Sequence, residues 1–288
     1  MKTINQQFLT GERALFKAHD LQINNTTFAD GESPLKESRN VNLKQPIFKW
    51  KYPLWYSKHV TVDHGLFEEM SRSGIWYTDD ITITNSTLQA PKLFRRARQI
   101  KLDHVHFSHA EETLWNCQDI ELNDVQANGD YFGMNSQNIS INHFNLVGNY
   151  AFDGAKNVEI HNATLMTKDA LWNCENVTVY DSQIIGEYLG WNSKHIRFVN
   201  CTIESDQGLC YMDDVTLENC TLLNTDLSFE YCSNIDADVV STIDSVKNPI
   251  SGKIHATAIG KIIMDDSEID ATQTTISVDQ ESRAPHAV

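Results

Sequence analysis

Asp130, Asp153 and Asp169 are the carboxylates of this sequence whose spacing could support acid/base chemistry, and a set of aromatic and polar residues recurs around them. Two carboxyl groups about 5 Å apart suit double displacement at a sugar centre, and a gap of about 6.5–9.5 Å suits single displacement with water between them. The recurring set is Trp55, Trp76, Arg95, Trp115, Trp172 and Trp191, with Tyr56, Tyr77, Arg96, Asn116, Asn173 and Asn192 directly after them and Asn135 and Tyr211 in the same row. Aromatic rings offer apolar platforms, while amides, guanidinium groups and carboxylates satisfy hydroxyls. Such a set suits a carbohydrate, with Arg95 and Arg96 as contacts for an anionic group.

These residues are positioned by a repeat. Apolar pairs recur as Leu21/Ile23, Val41/Leu43, Val60/Val62, Ile81/Ile83, Ile100/Leu102, Ile120/Leu122, Ile139/Ile141, Val158/Ile160, Val177/Val179, Ile196/Phe198 and Val215/Leu217, then more weakly as Ile235/Ala237 and Ile254/Ala256, at a period of about 19.4 residues. Each pair shows the period-2 alternation of a strand. Four residues beyond the first member stands a polar row that includes Asn25, His64, Asn85, His104, Asp124, His143, Asn200 and Asn219; three further on, an apolar row that includes Phe28, Phe48, Phe67 and Phe107. A unit of about 19 residues is too short for a βαβ element. Units of this kind bury their apolar sides by stacking. The expected fold is an all-β, single-stranded right-handed parallel β-helix of about twelve coils spaced by about 4.8 Å. Residues 1–20 are expected to cap it, residues 21–269 to form it, and residues 270–288 to be a polar tail.

The row that holds the five tryptophans also holds Lys36, Arg95, Asp153 and Glu230, and such charged groups are rarely buried unpaired, so the row faces outward. An outward strip of tryptophan fits three roles: a ligand groove, an interface with a second copy of the chain, or a structural stack. Asp130, Asp153 and Asp169 fall on successive coils and are the acid/base candidates if a sugar is processed by hydrolysis or elimination.

Composition excludes several classes. The net charge of −16 argues against nucleic acid, which needs a basic surface. The charge is polarised: Lys36–Lys101 holds 12 Lys/Arg against 6 Asp/Glu, which can steer an anionic ligand. No apolar run is long enough to span a membrane, and the N-terminus lacks the pattern of a secretory signal, so a cytoplasmic location is expected. The six cysteines show neither CxxC nor zinc-site spacing and are expected to be buried thiols. His64, His104 and His143 lie on alternate coils, too far apart to share a metal, so no metal site is expected; a carboxylate row could recruit Ca2+, but no motif fixes the six to eight oxygens it requires. No cofactor motif appears.

The segments "ADGESPLKES", "KWKYPLWYSKHV", "SGIWYT", "ETLWNC", "DYFGMNS", "NYAFDGAKNV", "DALWNCENVTVYDS", "GEYLGWNS" and "SVKNPISG" closely resemble the bacterial DUF3737 family of unknown function. The resemblance covers nearly the whole chain and implies a pectin-lyase-like right-handed β-helix. That wider superfamily includes carbohydrate-active enzymes and non-enzymatic members. It carries over no catalytic residue here, and the Asp-Asp and Gly-His-Gly signatures of polygalacturonases have no match in this sequence.

Overall fold

The computed structural model describes residues 2–279, which divide between two compact units, Met1–Glu159 and Ile160–Val288. Both are built from short strands in which every pairing is parallel and the partner lies about one repeat away in sequence, which is the topology of a parallel β-helix.

In the first unit, His19–Asn24 pairs with Arg39–Lys44, which pairs with Lys58–Asp63, which pairs with Asp79–Leu88. The register aligns Leu21, Val41, Val60, Ile81, Ile100, Ile120 and Ile139 in one column. All seven are buried. A second buried column begins with Phe28, Phe48 and Phe67, whose rings succeed one another at 4.9 and 4.7 Å, close to the strand spacing itself. Column on column, the alternating residues of each coil make the continuous core that no single coil could supply.

The corners are made by residues in the left-handed region, where Asn and Asp are tolerated best. One corner row is the polar row read from the sequence: Asn25, Gln45, His64, Asn85, His104, Asp124 and His143 all have φ between 47 and 53°. A second, not singled out from the sequence, stands just before each apolar pair: Asp20, Asn40, His59, Asp80, Gln99, Asp119, Asn138 and Asn157. Side chains bridge successive coils there, as in Asn40 to Asp20 at 3.1 Å, His59 to Asp80 at 2.6 Å and Asn138 to Asp119 at 2.9 Å.

The second unit repeats the plan. Val177, Ile196, Val215 and Ile235 align through parallel pairing, and Asn219 donates to Asn200 at 2.8 Å and Asn200 to Asp181 at 3.0 Å along its polar corner. The last step departs from the sequence alignment: Ala237 pairs with Ile254 and Ile235 pairs with Gly252. A shift of two residues keeps the same side chains inward. Gly252 lies so close to Ile235 that a Cβ would sit 2.1 Å from its carbonyl oxygen.

Both ends differ from expectation. Residues 1–20 are not a separate cap but begin with a coil of the same pattern, with Lys2–Asn5 and Phe8–Leu9 pairing so that Ile4 meets Ile23 and Leu9 meets Phe28. Within 270–288, Thr274–Val278 forms a further strand that sets Ile276 on Ile254; residues 280–288 of the expected tail lie outside the described residues. The repeat thus runs to about 15 coils rather than about twelve. A coil held by one or two apolar anchors leaves little periodic signal. No helix among the described residues is long and apolar enough to cross a membrane.

Candidate functional site

The tryptophan row forms a column in each unit. In the first, Ile75–Trp76 pairs with Phe94–Arg95, and Arg95 bridges to Trp115. Trp55 and Trp76 stack at 5.4 Å with 9° between their planes. The Arg95 guanidinium lies between two indoles, 4.7 Å from the Trp76 centroid and 4.6 Å from that of Trp115. Glu112 binds it at 3.2 Å and also receives Lys92 at 3.0 Å. Each indole N–H is used internally: Trp55 donates to the Ser73 carbonyl, Trp76 to Lys92 O at 2.9 Å and Trp115 to Tyr131 O at 2.6 Å.

In the second unit, Trp172 and Trp191 are 5.8 Å apart, Trp191 and Tyr211 4.6 Å, and Tyr211 and Tyr231 5.2 Å. Trp172 donates to Tyr188 O at 3.2 Å, and the column ends where the Tyr231 hydroxyl meets Asp266 at 2.9 Å.

The tryptophans are half-buried, and their neighbours in the column cover ring faces. A sugar ring stacking on an indole needs an open face, so these columns offer it mostly edges. The following row lies at a left-handed corner: Tyr56, Tyr77, Arg96, Asn116 and Asn135 in the first unit, Asn173, Asn192, Tyr211 and Tyr231 in the second. Arg96, Asn116, Asn135, Asn173 and Asn192 are exposed. Asn192 donates to Asn173 at 2.9 Å, so this amide pair forms a cross-coil ladder.

Of the acid/base candidates, Asp130 and Asp153 do not share a column. Asp130 O accepts from Glu112 N, and the next coil presents Asn149 at that level, its N–H donating to Asp130 Oδ1 at 2.7 Å. Asp153 stands at the level of Asn135, four residues beyond Asn149 along its own coil. Asp169 belongs to the second unit, in a short strand paired with Tyr188–Leu189, and is only 2% exposed.

Two histidines of the polar corner lie against adjacent carboxylates, His64 Nδ1 on Asp63 at 2.9 Å and His104 Nδ1 on Asp103 at 2.9 Å. Asp103, His104 and Asp124 are the one group among the described residues whose potential ligand atoms come within 4.8 Å. His104 turns its two ring nitrogens toward the two carboxylates, as a step of the corner ladder does. All six cysteines are buried thiols. Burial pushes the Cys117 and Cys210 thiols up to about 12, and the thiol contact with Cys220, reinforced by burial, pushes Cys201 up, so they are poor nucleophiles.

A polar trough on the first unit was not anticipated. It encloses about 1110 Å³ across four coils. Its floor is the residue between the two members of each apolar pair, Thr82, Lys101, Glu121 and Ser140, aligned by the strand register. One rim is the corner row Asp80, Gln99, Asp119 and Asn138; the other is Thr84, Asp103, Asn123 and Asn142. Cross-coil bonds tie residues on both: Asn138 donates to Asp119 at 2.9 Å on the first, Asn123 to Asp103 at 2.6 Å and Asn142 to Asn123 at 3.2 Å on the second, while on the floor Lys101 and Glu121 pair at 2.8 Å. The sequence signal was present, since the position between paired apolar residues is polar throughout, but alternation says only that it faces outward.

No curated protein matches this chain. Among solved structures, the A-module of the mannuronan C-5 epimerase AlgE4 of Azotobacter vinelandii is similar at 12% identity and a TM-score of 0.32, covering 96% of this chain and 91% of that one. PfbA, a surface adhesin of Streptococcus pneumoniae, is similar at 12% identity and a TM-score of 0.24, covering 90% of this chain and 70% of that one. The match to the family described as "Protein of unknown function (DUF3737)" spans residues 2–277, and the chain, with its parallel coils and repeat of about 19 residues, belongs to that family.

Proposed function

We propose that this protein is a carbohydrate-binding β-helix that takes an extended polyhydroxylated chain along the trough of its first unit. The observation that carries this reading is the trough's size and lining: about 1110 Å³ of open space bordered by Thr, Ser, Asn, Gln, Asp, Glu and Lys side chains on four successive coils. A hydroxyl-rich ligand needs donors and acceptors already in place, because each one ordered on binding costs affinity. Cross-coil hydrogen bonds order these side chains in advance. Three coil spacings give the floor a length of roughly 14 Å. The tryptophan columns act in this reading as spines that hold the coils, with exposed Arg96, Asn116 and Asn135 as accessory contacts.

Calorimetric titration with neutral and acidic oligosaccharides tests it. One of them is expected to bind saturably, and Lys101→Ala combined with Glu121→Ala to weaken it at least tenfold, whereas Trp172→Ala leaves the affinity unchanged. If the double variant binds like the wild type, the ligand is not in the trough. None of Asp130, Asp153 and Asp169 borders the trough, so processing of a sugar by Asp130 or Asp153 would need the ligand to extend beyond it; product analysis of wild type against Asp153→Asn checks this, and no product from either removes the enzymatic part.

A second reading rests on the outer rings of the corner rows, Tyr56 at 46% and Tyr211 at 42% exposure: the aromatic corner would be a homodimer interface of a non-catalytic protein. Tyr211→Glu should then convert dimer to monomer in sedimentation velocity. A wild type that sediments as a monomer at all concentrations sinks this reading.

A further inference from the structure

The first three coils of the first unit leave a hollow of about 570 Å³ bordered by Lys17, His19, Lys36, Glu37, Arg39 and Tyr56. Its charge is unbalanced. Lys17 pairs with Glu37 at 3.5 Å, whereas neither Lys36 nor Arg39 has a carboxylate partner among the described residues. The Lys36 ammonium lies 5.7 Å from the Tyr56 ring and 6.0 Å from that of Trp55, so aromatic rings hold it in place without neutralising it. Tyr77 stacks on one face of Tyr56 at 4.7 Å with 6° between the planes. Tyr56 itself is 46% exposed and borders the hollow.

We infer that this hollow is a binding site for a small ring-bearing anion, whose phosphate or carboxylate group is held by Lys36 and Arg39 while its ring packs against Tyr56. Two uncompensated cations beside an anchored aromatic ring match a compact anion fixed to an apolar ring face. The hollow also opens the most basic stretch of the chain, Lys36–Lys101, with 12 Lys/Arg against 6 Asp/Glu, which favours approach of anions to a protein of net charge −16. This site is separate from the trough and does not depend on it.

The test is calorimetry on the intact protein with glucose 6-phosphate, glucuronate, glucose and inorganic phosphate. Saturable binding of glucose 6-phosphate or glucuronate at least tenfold tighter than glucose is expected, and which of the two binds identifies the anionic group. Lys36→Gln with Arg39→Gln should weaken that ligand at least tenfold. Tyr56→Leu should weaken it several-fold, and more than it weakens inorganic phosphate, which has no ring to pack against residue 56. Lys101→Ala with Glu121→Ala, in the trough, should leave it unchanged. Thermal melts identical to wild type establish that the variants fold. Binding of glucose as tight as its charged counterparts, no saturable binding of any anion, or undiminished binding by the folded double variant each overturns the inference.

Discussion

Arg95 shows how a charge is built into an aromatic column. Its guanidinium is sandwiched 4.7 and 4.6 Å from two indoles and bound to Glu112. A planar, weakly hydrated cation can lie flat against both rings; the compact ammonium of lysine cannot. Arg95→Lys should therefore lower stability by about 1–2 kcal/mol, read as a lower urea midpoint, and an unchanged midpoint would mean that the sandwich contributes nothing. Asp63 gives a pH signature. Hydrogen bonding, first from Asn85 and then from His64 and Thr84, lowers its carboxyl from the ordinary 3.8 to about 2. A depressed carboxyl stabilises the fold fully above its unfolded value, and that contribution is lost as pH falls from about 4 toward 2. Asp63→Asn should flatten this part of the pH dependence of the urea midpoint. Parallel curves for variant and wild type would refute the assignment. The effect will be small, since Asp63 is 39% exposed.

Each corner must hold an L-residue at positive φ, and the Asp181–Asn200–Asn219 ladder shows how. Asn200 has φ 53° and makes one amide bond to each neighbouring coil. Asn200→Ala loses both bonds and the left-handed preference, a cost of about 2 kcal/mol, whereas Asn200→Gly loses the bonds alone and should cost about half as much. Equal losses would place the whole effect in the hydrogen bonds. A tighter constraint lies at Gly148, where a Cβ would stand 2.1 Å from the Gly129 carbonyl oxygen; Gly148→Ala must push two coils apart and should cost more than about 2 kcal/mol. The core columns and the polar corner that includes Asn200 are legible in the sequence because burial and left-handed φ each restrict residue type once per coil. The outward direction of Trp55, Trp76 and Trp115 is legible for the same reason. What escapes is lateral: that neighbouring rings cover one another's faces, that Asp130 and Asp153 stand at different levels, and that the row Thr82, Lys101, Glu121 and Ser140 floors a concave surface. These depend on corner angles and coil stacking, which no single repeat encodes.

Across the whole chain, 39 acidic residues oppose 23 basic ones, and parallel stacking brings equivalent positions of successive coils to within about 4.8 Å. Two effects of salt then compete. Screening weakens exposed cross-coil pairs such as Lys101–Glu121 at 2.8 Å and Arg197–Glu218 at 2.7 Å, each worth about 0–1 kcal/mol. Screening also relieves the repulsion of 16 uncompensated negative charges, which is greater in the compact state than in the unfolded chain. Each exposed pair contributes little beside that excess, so repulsion should dominate. Raising the ionic strength from about 0.01 to 0.15 M shortens the screening length from about 30 to 8 Å. A relief on the order of 1–2 kcal/mol should then raise Tm by roughly 2–3 °C. Scanning calorimetry in sodium chloride measures this directly. A Tm that falls with salt would mean that attraction between neighbouring coils, rather than the net charge, governs the electrostatics of the fold.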